Sequence, residues 1–542
     1  MFASIKSAGL MGIRGFMTET EADAQNGIPG LFLSGALSSE TKEAQYRVLN
    51  GIKNSGIDIR PKKITVNIAP ASIRKQGTGF DLSIAVAILC SLGELKQEAF
   101  SDTAFLGEIG LDGRLKHISG ILPRVMFLRD RGIGSVVLPR DCVEEASVIE
   151  DIDIYGFSDL KTALELLRAR DVSEQLGRGH GKGLGRRILA DGREFKPELK
   201  LRTAKGVCGE ADLSFIKGQA FMKRAAEIAV SGRHNILFSG PAGTGKTMTA
   251  KCMPGLMPEL SRKEDIEISM VYSVAGLLPE KSPLIGRRPF RAPHHGISMA
   301  AFLGGGQRAE PGEVSLSSGG ILFLDEMALF KREVLEGLRE PMEEGRIRIQ
   351  RMRGSYEYPA DFELVAAING CPCGFYPDRS RCRCTEGQIR VYMGRLSKPI
   401  LDRIDIFAEA RPIRAEELLY GQREKSLGRK EESSAEVRER VKRVYEIQRE
   451  RFKDIEGIEH NSRMGIREIE RFCRLDEDCR LLLKEIFKKR QLSGRSYHRI
   501  LRVARTIADM DESEDIREEH VLEASELRSL EERLGAYGAG RA

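Results

Sequence analysis

The chain has 542 residues, of which 41% are hydrophobic and 31% charged, and its formal net charge is +6. This length is too great for one ordinary domain and predicts about three or four, with enough apolar material for several cores. No apolar run reaches about eighteen residues, which excludes a membrane-spanning helix, and the first residues lack the apolar core of a signal peptide, so we expect a cytoplasmic protein.

Residues 1–172 mix strand-like and helix-like runs and predict an α+β domain. KKITVNIAP is typical of a strand, DLSIAVAILCSLGEL of a buried helix, and SVVLP of a second strand. Between the last two, TAFLGEIGLDGRLKHI predicts a β-hairpin with Asp112 and Gly113 at its turn.

Residues 173–206 predict a basic, glycine-rich linker. Between Arg178 and Lys205, nine Lys or Arg residues stand against three Asp or Glu residues, a net charge of +6. Apolar periodicity is lost there, which indicates a flexible tether, and the same charge also suits a polyanion.

Residues 207–413 alternate strands and helices, which predicts a parallel sheet with flanking helices. Residues 414–542 are helical and highly charged, which predicts a C-terminal helical lid.

The segment HNILFSGPAGTGKTMTAK predicts an ATP site, because an apolar strand precedes a G-x-x-x-x-G-K-T motif and a helix can follow it. In such a loop, backbone N–H groups surround phosphates, the lysine supplies a point charge and the threonine hydroxyl binds Mg²⁺. The predicted nucleotide-binding residues are Gly240, Pro241, Ala242, Gly243, Thr244, Gly245, Lys246 and Thr247.

Two further buried strands end in polar residues. In GGILFLDEM, the strand is followed by Asp325 and Glu326. Asp325 is predicted to hold Mg²⁺ together with Thr247, and Glu326 is predicted to polarise the attacking water. FELVAAING ends in Asn369, which suits a position between that water and the γ-phosphate, and an asparagine that only forms a turn is the alternative.

A cysteine cluster follows in CPCGFYPDRSRCRC. Its C-x-C-x₈-C-x-C spacing places four thiols within fourteen residues, which can close a tetrahedral Zn²⁺ site in a reducing compartment. Free or redox-sensitive thiols in an ordered loop are the open alternatives. The candidate zinc ligands are Cys371, Cys373, Cys382 and Cys384.

These motifs resemble the magnesium-chelatase-type branch of AAA+ ATPases, and in particular the ComM/YifB family. FRAPHHGIS, ILFLDE, NGCPCG and LDRIDI resemble the ATPase core of the family, and SGRSYHRILRVARTIADM resembles its C-terminal domain. Gly370 is a departure, since relatives usually carry proline after the sensor asparagine, and it predicts a looser turn. The resemblance implies a homo-hexameric, ATP-driven motor that acts on single-stranded and branched DNA, with recombination proteins as candidate partners.

The resemblance also implies roles for three arginines outside the phosphate loop. Arg403 in LSKPILDRIDIF would be the finger that reaches the nucleotide of a neighbouring subunit, and an ion pair with a flanking aspartate is the alternative. Arg495 and Arg502 are both candidates for the lid arginine that senses nucleotide, and a solvated helix face is the alternative for each.

The stretch GRIRIQRMRGS alternates arginine with isoleucine and offers a turn at Gly354 and Ser355, so it predicts a β-hairpin with a basic tip. In related helicases such a hairpin projects into the channel of the ring, and the FRAPHHGIS region fits a second channel loop. Basic residues there would contact phosphates without reading bases. The alternative is a solvated hairpin edge whose charges only prevent another strand from pairing with it. The candidate DNA-binding residues are Arg346, Arg348, Arg351, Arg353, Arg288, Arg291, His294 and His295.

The N-terminal domain further resembles the proteolytic domain of Lon proteases. Gly79 stands at the position of the nucleophilic serine of Lon, and Leu122 at that of its catalytic lysine. Covalent catalysis fails without a nucleophile and its base, so we predict a scaffold or binding domain.

The prediction is therefore a hexameric, ATP-driven DNA motor that promotes branch migration in homologous recombination or natural transformation. A magnesium-chelatase-type or chaperone-like ATPase that remodels a protein partner is the alternative. An ATP-dependent protease is disfavoured by the two lost positions.

Overall fold

The computed structural model describes residues 1–59, 61–168, 187–189, 211–279, 282–351, 354–412, 431–490 and 493–538. Most of the predicted linker and the first residues of the predicted lid lie outside these ranges. Among the described residues, no helix is both long and apolar enough to cross a membrane.

The N-terminal part is an α+β unit. Its strands are β1 (Phe2–Met11), β2 (Arg14–Gln25), β3 (Gly30–Ser34), β4 (Lys63–Ala69), β5 (Thr103–Phe105), β6 (Glu108–Ile109), β7 (Leu115–Lys116), β8 (Ser135–Pro139), β9 (Asp153–Phe157) and β10 (Arg187–Leu189). Eight of them form one mixed sheet in the order β10-β9-β8-β5-β1-β2-β4-β3. The helices are α1 (Ser39–Lys42), α2 (Ala44–Asn54), α3 (Asp81–Ser91), α4 (Ile121–Asp130), α5 (Val143–Ala146) and α6 (Leu160–Arg168).

Helix α3 lies at the centre of the core of this unit, because all 11 of its residues are buried. Its sequence is apolar on every side, which is typical of a helix without a solvent face. The predicted hairpin is present as β6 and β7, and Gly113 has φ +83° between them, a conformation that favours glycine.

The second unit is built on a parallel sheet. Its strands, with two small hairpins, are β11 (Ile236–Ser239), β12 (Phe290–Arg291), β13 (Gly304–Gly305), β14 (Glu310–Pro311), β15 (Ile321–Leu324), β16 (Arg346–Arg351), β17 (Gly354–Pro359), β18 (Glu363–Ile368) and β19 (Ile406–Glu409). The sheet order is β12-β15-β18-β11-β19, and every neighbouring pair is parallel. Strands β11, β15 and β18 are wholly buried, as expected where helices cover both faces.

Helices α7 (Ala220–Gly232), α8 (Lys246–Cys252), α9 (Arg262–Ala275), α10 (Met299–Leu303), α11 (Glu313–Leu316), α12 (Arg332–Glu336), α13 (Arg339–Glu344), α14 (Glu386–Met393) and α15 (Lys398–Leu401) belong to this unit. In an open parallel sheet, ligands bind beyond the carboxyl ends of the strands, beside a strand with neighbours on both sides such as β11. The fold therefore directs attention to the loops that follow the inner strands β11, β15 and β18.

The C-terminal part is helical, with α16 (Ser434–Phe452), α17 (Ile466–Phe472), α18 (Glu477–Arg490), α19 (Gly494–Met510), α20 (Glu518–Glu526) and α21 (Ser529–Gly538). Apolar residues of α16 and α19 share one buried cluster with β11 and α7. Hydrogen bonds add to this packing, since the Gln448 amide donates to the carbonyl oxygen of Ser231 at 2.7 Å. The predicted fold class is thus confirmed, including the parallel sheet and the helical C-terminus.

Candidate ATP site and basic hairpin

The phosphate loop, residues 240–247, joins β11 to helix α8 at the carboxyl edge of the parallel sheet. Two of its glycines are required by geometry. A Cβ atom on Gly240 would lie 2.5 Å from the carbonyl oxygen of Ala410, and Gly245 begins the helix at φ +92°. Backbone N–H groups at such a helix start remain available, and the helix dipole favours an anion beside them.

Lys246 is the first residue of helix α8, and its side chain extends back over the phosphate loop. Its ammonium group donates to two carbonyl oxygens of the phosphate loop, at 2.8 and 2.7 Å, and to Oδ1 of Asn369 at 3.2 Å. Burial lowers the pKa of Lys246 to about 8, and the carboxylates of Asp325 and Glu326 oppose this shift. The lysine is therefore held in place by acceptors that a polyphosphate can replace.

Thr247 and Asp325 meet at the same edge of the sheet. Strand β15 ends one residue before Asp325, and the Thr247 hydroxyl donates to Oδ2 of Asp325 at 3.0 Å. Glu326 follows with φ +50°, and its side chain is exposed to solvent. Hydroxyl and carboxylate oxygens are the hard ligands that Mg²⁺ prefers, so this pair fits the ion.

The structure thus brings together the side chains that the sequence assigned to ATP and Mg²⁺. Three strand ends converge here, from β11, β15 and β18, because all three strands run parallel in adjacent positions. The residues that meet at this edge are Lys246, Thr247, Asp325, Glu326 and Asn369.

The predicted finger and lid arginines lie at the opposite edge. A cleft of about 300 Å³ opens beside the amino ends of β11, β18 and β19, and Arg403, Arg495 and Arg502 line it. The strands between the two edges have four to six residues, which separates the edges by roughly 13–20 Å. These arginines are therefore out of reach of a nucleotide bound by their own chain.

Arg403 is held inside its own chain by groups other than the expected aspartates. It donates to the carbonyl oxygen of Pro399 at 2.6 Å and forms an ion pair with Glu343, whose side chain is 57% exposed. Asp405 instead pairs with Arg499. The alternative of an ion pair at Arg403 is thus present, but its partner is Glu343 and not a flanking aspartate, and the sequence missed both Glu343 and Arg499.

The two lid candidates differ in their surroundings. Arg495 is exposed at the mouth of the cleft. Arg502 is more deeply buried, and burial lowers the pKa of its guanidinium. Its Nε atom has no hydrogen-bond partner among the described residues. Both therefore remain candidates.

The predicted basic hairpin is present as β16 and β17. The strands are antiparallel, with Arg346 opposite Pro359 and Arg351 opposite Gly354. Gly354 and Ser355 belong to the second strand, so the expectation that they form the turn is wrong. The two residues between the strands lie outside the described part of the chain.

Arg346 and Arg348 face outward, because Ile347 and Ile349 beside them pack into the core of the second unit. Arg351 lies on the same side of the strand as the two isoleucines, at the exposed end of that strand. Arg346 forms ion pairs with Glu344 and Glu357, at 3.3 and 3.4 Å, and Arg348 pairs with Glu344 at 3.5 Å. All four side chains remain partly exposed. These pairs are weak in water and compensate only part of the positive charge.

Two contacts join the hairpin to the neighbouring segment around β13 and β14. Nη2 of Arg351 donates to the carbonyl oxygen of Gly306 at 3.1 Å, and the Tyr358 hydroxyl donates to that of Ala309 at 2.8 Å. Arg351 has no ion-pair partner among the described residues, and Arg353 lies outside them.

Arg288 is not available to DNA, and its assignment as a DNA contact was wrong. Its side chain is 6% exposed. All three guanidinium nitrogens are engaged, with the carbonyl oxygens of Pro258 and Gly319 at 2.9 and 3.0 Å and the Glu264 carboxylate at 3.0 Å. Its hydrogen bonds therefore connect the start of α9 to the residues that precede β15.

The other residues of this region are more open. Arg291 is bound by Glu313 through two hydrogen bonds of 2.6 Å. The imidazole rings of His294 and His295 lie 4.0 Å apart, and His294 is exposed. The two histidines therefore remain accessible, whereas Arg291 already has a carboxylate partner.

The four cysteines form one compact cluster. Their Sγ atoms all lie within 4.8 Å of one another. The three pairs among Cys371, Cys373 and Cys382 are 3.3, 3.6 and 3.7 Å apart. A tetrahedral Zn²⁺ site with Zn–S bonds of about 2.3 Å has S–S edges of about 3.8 Å. The arrangement therefore fits the ion.

At Gly79, the position of the Lon nucleophile, the space for a side chain is occupied by Arg124. A Cβ atom on Gly79 would lie 2.6 Å from Nη1 of the buried Arg124. Leu122 is fully buried, and the ammonium group of the buried Lys75 donates to a backbone carbonyl oxygen. The serine and the lysine of the Lon site are therefore replaced in this chain by Gly79 and Leu122, which have no nucleophilic or basic side chain.

Family models match three segments of the chain. The model described as magnesium chelatase, subunit ChlI, matches residues 212–418. The model for subunit ChlI of Mg-chelatase matches residues 20–142, and the one for the ChlI C-terminal part matches residues 431–528. The three segments lie in the unit with the phosphate loop, in the N-terminal unit and in the helical C-terminal part.

Similar proteins extend over nearly the whole chain. Competence protein ComM of Haemophilus influenzae is 37% identical over 532 residues, which are 97% of this chain and 97% of that protein. The uncharacterized protein YifB of Escherichia coli is 34% identical over 544 residues, covering 98% and 97%. A Lon protease of Syntrophus aciditrophicus is 27% identical over 164 residues, or 28% of this chain and 20% of that protein.

The parallel sheet, the phosphate loop and the matching models define an AAA+ ATPase of the magnesium chelatase class, which implies ATP and Mg²⁺ as its ligands. Within that class, the chain belongs to the ComM/YifB family. Its N-terminal unit is similar to Lon proteases.

The pKa of Lys246 leads to a prediction about pH. Because a phosphate raises the pKa of a lysine beside it, ATP should bind best when Lys246 is already protonated. We expect ATP affinity to be nearly constant below pH 8 and to fall by up to about tenfold per pH unit above it. Titration with a fluorescent ATP analogue from pH 7 to 9.5 measures this. In Lys246→Arg the guanidinium stays charged, so a decline of equal size in that variant would contradict the assignment.

Proposed function

We propose that this protein is a cytoplasmic, ATP-driven motor that moves along DNA and promotes branch migration. The observation that carries the proposal is the basic hairpin, which extends from the ATPase unit directly ahead of β18, the strand that ends at the ATP site. The similarity to a competence protein supports DNA as the polymer. Phosphate contacts of this kind are independent of base sequence.

In this proposal the carboxyl edge of the sheet performs the hydrolysis. The phosphate loop binds the β- and γ-phosphates, and Thr247 and Asp325 hold Mg²⁺, which neutralises charge on those phosphates when bound. Glu326 polarises the attacking water. Asn369, bonded to Lys246, positions that water against the γ-phosphate.

The opposite edge serves a neighbouring subunit. Arg403 and the lid arginines line a cleft that is remote from the ATP site of their own chain. A homo-hexameric ring would place this cleft against the phosphate loop of the next subunit, where Arg403 would exchange Glu343 for the γ-phosphate. Hydrolysis would then move the hairpin relative to the ring.

We further propose that the four cysteines hold Zn²⁺. The short distances between their Sγ atoms support this. A structural ion would cross-link the two ends of the segment from Cys371 to Cys384, which lies directly after the sensor Asn369.

The test of the motor is ATP-dependent displacement of a labelled strand from a branched, three-strand DNA, measured together with ATPase activity with and without DNA. We expect DNA to stimulate hydrolysis and the branch to be resolved. If the rate of hydrolysis is the same with and without DNA and the branch stays intact, the motor does not act on DNA.

One observation favours a second candidate, remodelling of a protein partner. The hairpin arginines Arg346 and Arg348 are paired with glutamates, which lowers the net positive charge that a phosphate backbone would meet. Under this alternative, a purified partner rather than DNA would stimulate the ATPase.

The hairpin carries its own prediction. The double substitution Arg351→Ala/Arg353→Ala should leave DNA-independent hydrolysis within about twofold of the parent but abolish ATP-dependent strand displacement, because phosphate contacts are lost while the ATP site is intact. Arg332→Ala, an exposed arginine on helix α12, is the matched control. Equal loss of displacement in both variants would contradict a specific role for the hairpin.

A further inference from the structure

We propose that the segment from Cys371 to Cys384, here called the cysteine loop, is a metal-dependent support of the phosphate loop, so that the affinity for ATP depends on whether zinc is bound. The inference rests on the zinc site proposed above and adds a regulatory consequence to it. It does not depend on the polymer that the motor moves.

The cysteine loop touches the phosphate loop directly. The backbone N–H group of Ala242, in the phosphate loop, donates to the carbonyl oxygen of Gly374 at 2.9 Å. The approach is close, because a Cβ atom on Gly374 would lie 3.1 Å from Cβ of Ala242 and 3.9 Å from Cγ of Asn369. One glycine of the cysteine loop is thus hydrogen-bonded to the phosphate loop and lies next to Asn369.

The first turn of the cysteine loop is tightly packed. The N–H group of Gly374 donates to the carbonyl oxygen of Cys371 at 3.0 Å, and that of Tyr376 to Sγ of Cys371 at 3.4 Å. A Cβ atom on Gly370 would lie 2.8 Å from the carbonyl oxygen of Tyr376. The looser turn expected at Gly370 is therefore wrong, because the missing side chain allows this close return of the chain.

The far end of the loop meets this turn through sulfur and through two cation–π contacts, Arg381 with the ring of Phe375 at 4.1 Å and Arg379 with that of Tyr376 at 4.9 Å. Both arginines are exposed, and a cation–π contact at an exposed site contributes only about 0.5–1 kcal/mol. Cys382 is buried and its Sγ lies 3.6 and 3.7 Å from those of Cys371 and Cys373. Thiol–thiol contacts are weak, whereas an ion bound by all four sulfurs fixes both ends of the loop. Cys373 is exposed and Cys384 partly so, which leaves the ion accessible to exchange.

Loss of the metal should therefore release Gly374 from Ala242. The phosphate loop would then lose one backbone hydrogen bond that fixes its shape before the nucleotide arrives. A net loss of about 1 to 1.4 kcal/mol for such a bond corresponds to a five- to tenfold weaker affinity for ATP.

The experiment uses the full chain purified with its metal. Zinc content is measured by atomic emission, and binding of a fluorescent ATP analogue is measured with excess Mg²⁺ and without DNA. Zinc is then removed with a nitrogen-donor chelator that binds Mg²⁺ poorly, and afterwards restored. We expect about one zinc per chain, a five- to tenfold loss of affinity on removal, and recovery on addition of Zn²⁺.

Two variants complete the design. Cys373→Ser removes an exposed ligand and should reproduce the weaker affinity without unfolding the core. Arg383→Ala alters an exposed side chain in the same loop and should keep both zinc and affinity. Far-ultraviolet circular dichroism verifies that each chain is folded.

The outcomes separate the proposals. A chain purified without zinc that also fails to bind added Zn²⁺ overturns both the zinc site and the coupling. Zinc that can be removed with no change in ATP affinity overturns the coupling alone. An ATPase that is indifferent to DNA but weakened by zinc removal overturns the motor and supports the coupling.

Discussion

The substitution Glu326→Gln should lower ATP hydrolysis by about 10³-fold while leaving ATP affinity within a fewfold of the parent. The glutamine keeps the size of the side chain but cannot accept a proton from the attacking water, and general-base catalysis contributes about 10²–10⁴-fold. Binding is spared because Lys246, Thr247 and Asp325 are unchanged, and because the exposed Glu326 side chain is not part of their hydrogen bonds.

Single-turnover hydrolysis and equilibrium binding of a fluorescent analogue measure the two effects separately. Glu333→Gln, an exposed glutamate on helix α12, is the control and should hydrolyse ATP normally. If Glu326→Gln instead weakens ATP affinity and keeps the single-turnover rate constant, this carboxylate binds the metal and does not act on the water.

The substitution Arg403→Ala should also lower ATP hydrolysis by roughly 10³-fold or more, as expected for loss of an arginine finger. The physical reason is that a guanidinium neutralises charge on the transferring phosphoryl group. The cost to folding should be small, because the ion-pair partner Glu343 is 57% exposed and returns to water when Arg403 is removed.

Mixing of subunits tests whether Arg403 acts in the neighbouring chain. Arg403→Ala and Lys246→Ala should each be inactive, and the mixed rings should regain activity. An interface between the intact Lys246 of one variant and the intact Arg403 of the other is then complete. If Arg403 served its own chain, every subunit in the mixture would carry a defect, and no activity would return. Arg403→Lys should not rescue, because an ammonium cannot reproduce the planar fork.

The ATP site was predictable from the sequence, and the reason is physical. The phosphate loop is contiguous, and its shape follows from glycines and a helix start within eight residues. Asp325 and Asn369 are each a strand-end residue, so buried strands of four to six apolar residues were enough to place them at one edge of a parallel sheet. The same local patterns gave the hairpin of Arg346 to Pro359 and the helices of the C-terminal part.

Contacts between distant parts of the chain were not predictable. The N-terminal unit touches the hairpin through Gln76 and Tyr356 at 2.9 Å and through Arg14 and Glu357 at 3.2 Å. These pairs are separated by 280 and 343 residues, so no spacing in the sequence relates them. Arg288 illustrates the same limit, because its charge suggested DNA whereas the structure surrounds it with acceptors.

The sequence by itself therefore determined the class of protein, the residues of the candidate ATP site and the spacing of the four cysteines, because each depends on residues close together in the chain. Only the tertiary structure decided which edge of the sheet holds Arg403, which arginines are already occupied, and that Gly374 meets Ala242. These three features depend on which elements lie next to one another. The packing of the whole chain determines this, and no local pattern in the sequence does.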